Sequence, residues 1–115
     1  MATPVVRYVP SRSTDEADAR WGVLFGQSIA PIADRYATTG EFVRHGREAA
    51  RALTASQAEV PLAEVRILSP VTHNQQFLCQ GVNYASHVRE SGLDPTDFPF
   101  NTIFTKAPSC LSGPY

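Results

Sequence analysis

The large apolar residues of this chain fall in short runs, most of them closed by proline or glycine. Val5-Val6-Arg7-Tyr8-Val9 stops at Pro10, Trp21 to Phe25 at Gly26, and Val65-Arg66-Ile67-Leu68 just before Pro70. Ser28 to Ala33 and Thr102 to Lys106 are of similar length. Runs this short and rich in β-branched and aromatic residues read as strands. The runs at Val5, Trp21 and Ser28, with Gly22 and Gly26 at bend positions, suggest a small antiparallel meander joined by tight turns. One stretch departs from this pattern. Thr38-Thr39-Gly40-Glu41 fits a capping box, with Thr38 as N-cap. Phe42, Val43, Gly46, Ala49, Ala50 and Leu53 then recur at helical spacing, while Arg44, Arg47, Glu48 and Arg51 lie mostly opposite. The fold class is therefore α+β. The 115 residues allow at most one domain by length. The hydrophobic fraction is 43%, but 14 of those residues are alanine, which bury little area each. The core of an independent domain would be thin.

Charge and composition exclude several classes. Ten basic and eleven acidic residues give a net charge of −1 with no basic stripe, so a nucleic-acid partner is not expected. No stretch approaches the roughly 20 apolar residues of a membrane span, and Met1-Ala2-Thr3-Pro4 opens no secretory signal. Cys79 and Cys110 lack metal or redox spacing and read as free thiols. The expected location is cytoplasmic.

Thr54 to Glu59 is a polar exit from the helix, and Pro61-Leu62 restarts the chain. Val71-Thr72-His73-Asn74-Gln75 reads as a polar linker. The boundary is placed here, with residues 1–70 as a small strand-and-helix domain and residues 71–115 as a second, incomplete one. His45 and His73 are expected on the surface.

The second part carries the chemistry. Phe77-Leu78-Cys79 looks like a buried strand, Gly81 allows a sharp turn, and a short helix follows until Gly92 caps it. His87 and Glu90 stand at i and i+3, on one helix face. A carboxylate beside an imidazole fixes its tautomer and steadies its protonated form, which makes a general base near neutral pH. The same pair also fits a solvated helix surface. Asp94 to Asn101 reads as a loop anchored by Phe98 and Phe100, and the strand ending at Lys106 comes next. Gly113-Pro114 signals a turn toward something further, so the sequence looks cut short.

Gly81-Val82-Asn83-Tyr84-Ala85-Ser86-His87-Val88-Arg89-Glu90, followed by Phe104-Thr105-Lys106-Ala107-Pro108-Ser109, resembles the start of the catalytic domain of the fumarylacetoacetate hydrolase family. Leu62 to Val71 is similar to the family's entry segment, and the stretch around Trp21-Gly22-Val23 to its smaller N-terminal domain. The resemblance implies the first elements of a mixed β-roll. It also implies a 2-oxo or 1,3-dicarbonyl acid substrate, with C–C hydrolysis, decarboxylation, hydration or isomerisation as the reaction. His87 and Glu90 would activate a water, and Lys106 would hold a substrate carboxylate or enolate oxygen. Lys106 as a mere strand-edge charge is the alternative. Asn83 and Tyr84 would shape the turn.

The family's Mg²⁺ (or Mn²⁺ or Ca²⁺) is held by a Glu-x-Glu pair and a later Asp. The chain has no Glu-x-Glu, carries Val82 where some members have an acid, and offers only Asp94 and Asp97 nearby. A hard cation needs oxygen ligands, usually carboxylates. The expectation is thus a fragment without its metal site, inactive alone, whose partners would be the missing part of the catalytic domain and a second copy in a homodimer. The alternative is a non-catalytic remnant that binds proteins through an exposed sheet edge.

Overall fold

The fold was taken from a computed structural model, which describes residues 2–81, 83–97 and 102–114. Val5–Pro10 (β1) pairs antiparallel with Arg20–Phe25 (β2), placing Val5 opposite Val23 and Tyr8 opposite Arg20. Gly26, at φ 60, makes the turn into Ser28–Pro31 (β3). A left-handed φ is cheap only for glycine. Val60–Pro61 (β4) then adds to β3, and Val65–Leu68 (β5) adds to the free side of β1. The sheet order is β4-β3-β2-β1-β5.

That order forces curvature. β4 and β5 are opposite edges of the sheet, yet only the 3₁₀ turn Leu62–Glu64 joins them. Five flat strands would hold their edges ~19 Å apart at ~4.8 Å per spacing. Three residues of 3₁₀ helix rise only ~6 Å. The sheet must therefore roll up. Both ends of the connection are fastened: the Leu62 N–H donates to the Gln27 carbonyl at 2.9 Å, and the Ser11 N–H to that of Glu64 at 2.9 Å. A two-residue β4 is too short to show as a pattern, so the sequence gives only a restart at Pro61.

The capping box forms as expected. The Thr38 hydroxyl accepts from the Glu41 N–H at 3.1 Å, and Glu41 Oε2 accepts from the N–H groups of Thr38 and Ala37. Helix then runs through Thr39–Glu41 (α1), a π turn over Phe42–Gly46 and Arg47–Ala52 (α2). The wide turn adds a residue to the repeat. Phe42, Gly46 and Ala50, four apart, face the core, whereas Val43, expected in the apolar stripe, is 49% exposed. His45 is exposed, as expected. Replacing Thr38 by Ala should cost about 1 kcal/mol, as for other N-caps, and a thermal melt would register it.

The helix packs on one face of the sheet. Trp21 stacks on Phe42 with ring centroids 4.4 Å apart, Tyr36 meets Phe42 edge-on, and Trp21 Nε1 donates to the Tyr36 carbonyl at 2.9 Å. Val23, Ile32 and Ala50 complete this cluster. A side chain at Gly46 would strike the rings of Phe42 and Tyr36. On the opposite face Tyr8 and Ile29 close over Gly22, where a Cβ would stand 2.4 Å from Ile29. Gly22 is thus a site of close packing inside β2 and not a bend, as its sequence context had suggested. Arg7 is buried at 6% exposure, and its Nη2 bonds Glu16 at 3.0 Å. Glu16 comes from a 3₁₀ turn, Glu16–Asp18, capped by the Asp15 side chain, which accepts from the Ala17 N–H.

The expected linker is clamped rather than free. Thr39 and Thr72 exchange hydrogen bonds, each backbone N–H donating to the other's hydroxyl at 3.1 and 2.9 Å. The Thr39 hydroxyl also donates to the Pro70 carbonyl at 2.7 Å. Thr72 is consequently buried, while His73 beside it is exposed.

Residues 1–75 with 111–115 form one compact unit and residues 76–110 another. In the second, Phe77–Gly81 (β6) pairs antiparallel with Thr102–Lys106 (β7), Phe77 opposite Lys106 and Gly81 opposite Thr102. Ala85–Glu90 forms a short helix (α3) between them in sequence. Phe77-Leu78-Cys79 is not the buried run expected: Leu78 is 62% exposed, as are Ile103 at 68% and Phe104 at 43% on β7. Phe77, Cys79 and Gly81 on β6 are half-buried and alternate with exposed Leu78 and Gln80, so one face of the hairpin is left open. Gly81 ends β6 and is not among the glycines at positive φ. The anchors Phe98 and Phe100 lie outside the described residues. Among the described residues no helix is long and apolar enough to cross a membrane. The chain is α+β, with a curled antiparallel sheet.

Candidate active site

The helix that carries His87 and Glu90 is short but sharply ended. Its last turn closes in a Schellman motif: the Leu93 N–H donates to the Val88 carbonyl at 3.2 Å and the Gly92 N–H to that of Arg89 at 3.0 Å. Gly92 sits at φ 76, the conformation this motif demands of the residue just past the helix. The Ser91 hydroxyl adds a bond to the His87 carbonyl at 3.1 Å. Val88 is 3% exposed and turns that face of α3 inward. The N-terminal end is looser, since Tyr84 holds an extended conformation without a side-chain cap. A six-residue helix is marginal by itself. Its geometry rests on the C-terminal motif and on Val88.

His87 and Glu90 are both exposed on α3. The ion pairs among the described residues are Arg7–Glu16 and Arg51–Glu48, so the dyad residues share a helix face without bonding one another. Lys106 ends β7 opposite Phe77, whereas α3 follows the Gly81 end of β6. Those two ends of the hairpin are ~14 Å apart, at four residues of ~3.4 Å each. Lys106 is exposed and bonds neither dyad residue. On the β6–β7 hairpin it shares a face with Phe104, Cys79 and Phe77, while Leu78, Gln80, Ile103 and Thr105 occupy the other. Asn83 and Tyr84 are exposed in the segment leading into α3.

Among the described residues no three His, Cys, Asp or Glu side chains converge. Asp94 is engaged locally, its Oδ1 accepting from the Thr96 N–H at 2.8 Å and hydroxyl at 2.6 Å. These bonds favour the charged form and hold its carboxyl below the usual range. Cys79 and Cys110 are free thiols. A hollow of about 460 Å³ beside α3 is lined by Arg89 and Gly92 to Thr96, without His87 or Glu90. The sequence did not single out a second hollow, on the curled sheet, lined by Tyr8, Arg20 and Glu59 among others. Its residues come from four separate segments, which the folding of the sheet brings together.

No family model matches the chain. Curated relatives do. Over 98 residues the chain is 37% identical to oxaloacetate tautomerase FAHD2A, mitochondrial, of Bos taurus, a match covering 82% of this chain and 30% of that protein. It is 35% identical over 82 residues to the Homo sapiens protein of the same name, covering 68% of this chain and 26% of the relative. A Pongo abelii protein named fumarylacetoacetate hydrolase domain-containing protein 2 matches at 35% over the same shares. The chain spans about 30% of the length of the curated relatives it matches. Through these relatives the chain belongs to the fumarylacetoacetate hydrolase family.

Proposed function

We propose that this chain forms the base-bearing portion of a fumarylacetoacetate-hydrolase-like enzyme for 2-oxo or 1,3-dicarbonyl acids. The observation that carries it is His87 and Glu90 together on the exposed face of a helix whose end is fixed by a Schellman motif, in a chain of this family. In the hydrolytic version, His87 takes a proton from water while Glu90 steadies the resulting imidazolium. The water oxygen bonds to the acyl carbonyl carbon. The C–C bond then breaks, its electron pair passing to the 2-oxo acid as an enolate, which recovers the proton at carbon. Lys106 would pair with a carboxylate or enolate oxygen once the rest of the enzyme brings it near. The hairpin β6–β7 would be the first pair of strands of the mixed β-roll.

A second reading is favoured by the relatives' names, which say oxaloacetate tautomerase. Tautomerisation needs the same base but no water: a proton leaves the carbon next to the ketone and returns to oxygen. Both reactions pass through an enolate. Divalent-cation binding, by Mg²⁺, Mn²⁺ or Ca²⁺, would fall to carboxylates outside these residues, and a homodimer is part of the same proposal. Beside the expected cytoplasmic location stands a mitochondrial one, the word the relatives' names carry.

The test compares two polypeptides with oxaloacetate and with an acylpyruvate. The 115-residue chain should show no turnover, and a polypeptide of the relatives' full length should show it. Turnover by the short chain that survives His87→Ala would overturn the assignment.

A further inference from the structure

The sheet of the N-terminal unit ends at β5, which among the described residues pairs with β1 alone. The alternation of that ladder says which groups face its other side. The Ser11 N–H, in line with β1, donates to the Glu64 carbonyl at 2.9 Å. In an antiparallel pair, alternate residues turn their backbone groups toward the partner. Glu64, Arg66 and Leu68 therefore face β1, and the N–H and C=O of Ile67 face outward. An open row of this kind is a template for another strand.

The chain itself returns to this edge. Residues 111–115 belong to the N-terminal unit, although residues 76–110 separate them from it in sequence. Leu111 and Gly113 are half-buried and alternate with exposed Ser112 and Pro114, a strip with one side turned in. A Cβ on Gly113 would stand 2.6 Å from the Ile67 carbonyl oxygen and 3.3 Å from the Leu68 Cα. Both are backbone atoms of β5 and cannot swing aside as a side-chain end can, so the approach requires glycine. Among the described residues no backbone hydrogen bond ties residues 111–114 to β5, and Pro114 has no N–H to offer. The strip covers the edge without extending the sheet. A cover held by contact alone opens locally at low cost.

We infer that residues 111–114 form a strap that lies along the outer edge of β5 and keeps it from pairing, with Gly113 as the residue that lets the strap seat. This gives the Gly113-Pro114 turn a task inside the N-terminal unit, independent of His87, Glu90 and the proposed reaction. With the strap displaced, the occupant that fits the edge is β5 of a second copy, because an antiparallel β5–β5 pair is self-complementary about a two-fold axis.

NMR and sedimentation equilibrium on the 115-residue chain test this. In the parent, the Gly113 α-protons should give a nuclear Overhauser effect to the Leu68 α-proton, a readout that needs no variant. Gly113→Val should abolish it while circular dichroism stays that of the parent. At ~300 μM the variant should show a weight-average mass roughly 1.7-fold the parent's, as for a dimer with Kd of ~100 μM. Adding Ile67→Pro should return it to the parent's mass. The Ile67 N–H faces outward, so proline there removes no bond to β1 and blocks only edge pairing. The inference is overturned if the parent lacks the Gly113–Leu68 signal, if folded Gly113→Val sediments as the parent does, or if its association survives Ile67→Pro.

Discussion

In an enzyme of full family length, His87→Ala and Glu90→Ala should each lower kcat by ~10²–10⁴-fold, the range for removal of a positioned general base or its orienting partner. The effect should fall on kcat more than on KM. Both side chains are exposed and unbonded to each other, so neither removal opens a cavity or strands a buried partner. Melting temperature and divalent-cation affinity should therefore hardly change, and that separates chemistry from folding. A double variant should cost little more than His87→Ala alone, because the two residues act as one unit. Lys106→Met should instead raise KM, if the lysine pairs with a substrate carboxylate in the assembled site. Unimpaired turnover in both dyad variants would remove the pair from the mechanism.

What the sequence disclosed follows from how local each signal is. Thr38 and Glu41 read as a capping box and form one, because the motif is closed within four residues. The same holds for Gly92, whose left-handed φ ends α3 where expected. Signals that depend on distant partners were less legible. Leu78 reads as a core residue but stands exposed, since burial depends on a covering layer that the sequence of one strand does not specify. Gly22 reads as a bend, and only its approach to Tyr8 and Ile29 reveals close packing. The clamp between Thr39 and Thr72 joins residues 33 apart and has no local signature. For the candidate site, spacing alone put His87 and Glu90 on one helix face. The position of Lys106 at the far end of the hairpin needed the register of β6 and β7. Tyr8 and Arg20 went unremarked for the same reason: strand pairing, and not chain proximity, makes them neighbours.

Trp21→Ala should be the most destabilising single change in the N-terminal unit. Trp21 is 2% exposed, stacks on Phe42 at 4.4 Å and donates to the Tyr36 carbonyl. It therefore joins β2, the π turn and the Tyr36 segment through one side chain. Truncating a buried Trp costs ~3–5 kcal/mol, while small domains hold only ~5–15 kcal/mol in all. At ~4–8 °C per kcal/mol for a domain of this size, the melting temperature should drop by more than ~12 °C. Trp21→Phe retains a ring to stack on Phe42 but deprives the Tyr36 carbonyl of its donor, so it should cost about 1–3 kcal/mol. Val43→Ala, on the same helix but half exposed, should change stability by no more than about 0.5 kcal/mol. The ordering of the three variants is the diagnostic, because it separates the stack, the hydrogen bond and the general effect of trimming an apolar residue. Equal losses at Trp21 and Val43 would mean that this stack is not what fastens the helix to the sheet. The curled sheet would then rest on its own fastenings, among them the Leu62 and Ser11 hydrogen bonds that hold the two ends of the connection between its edges.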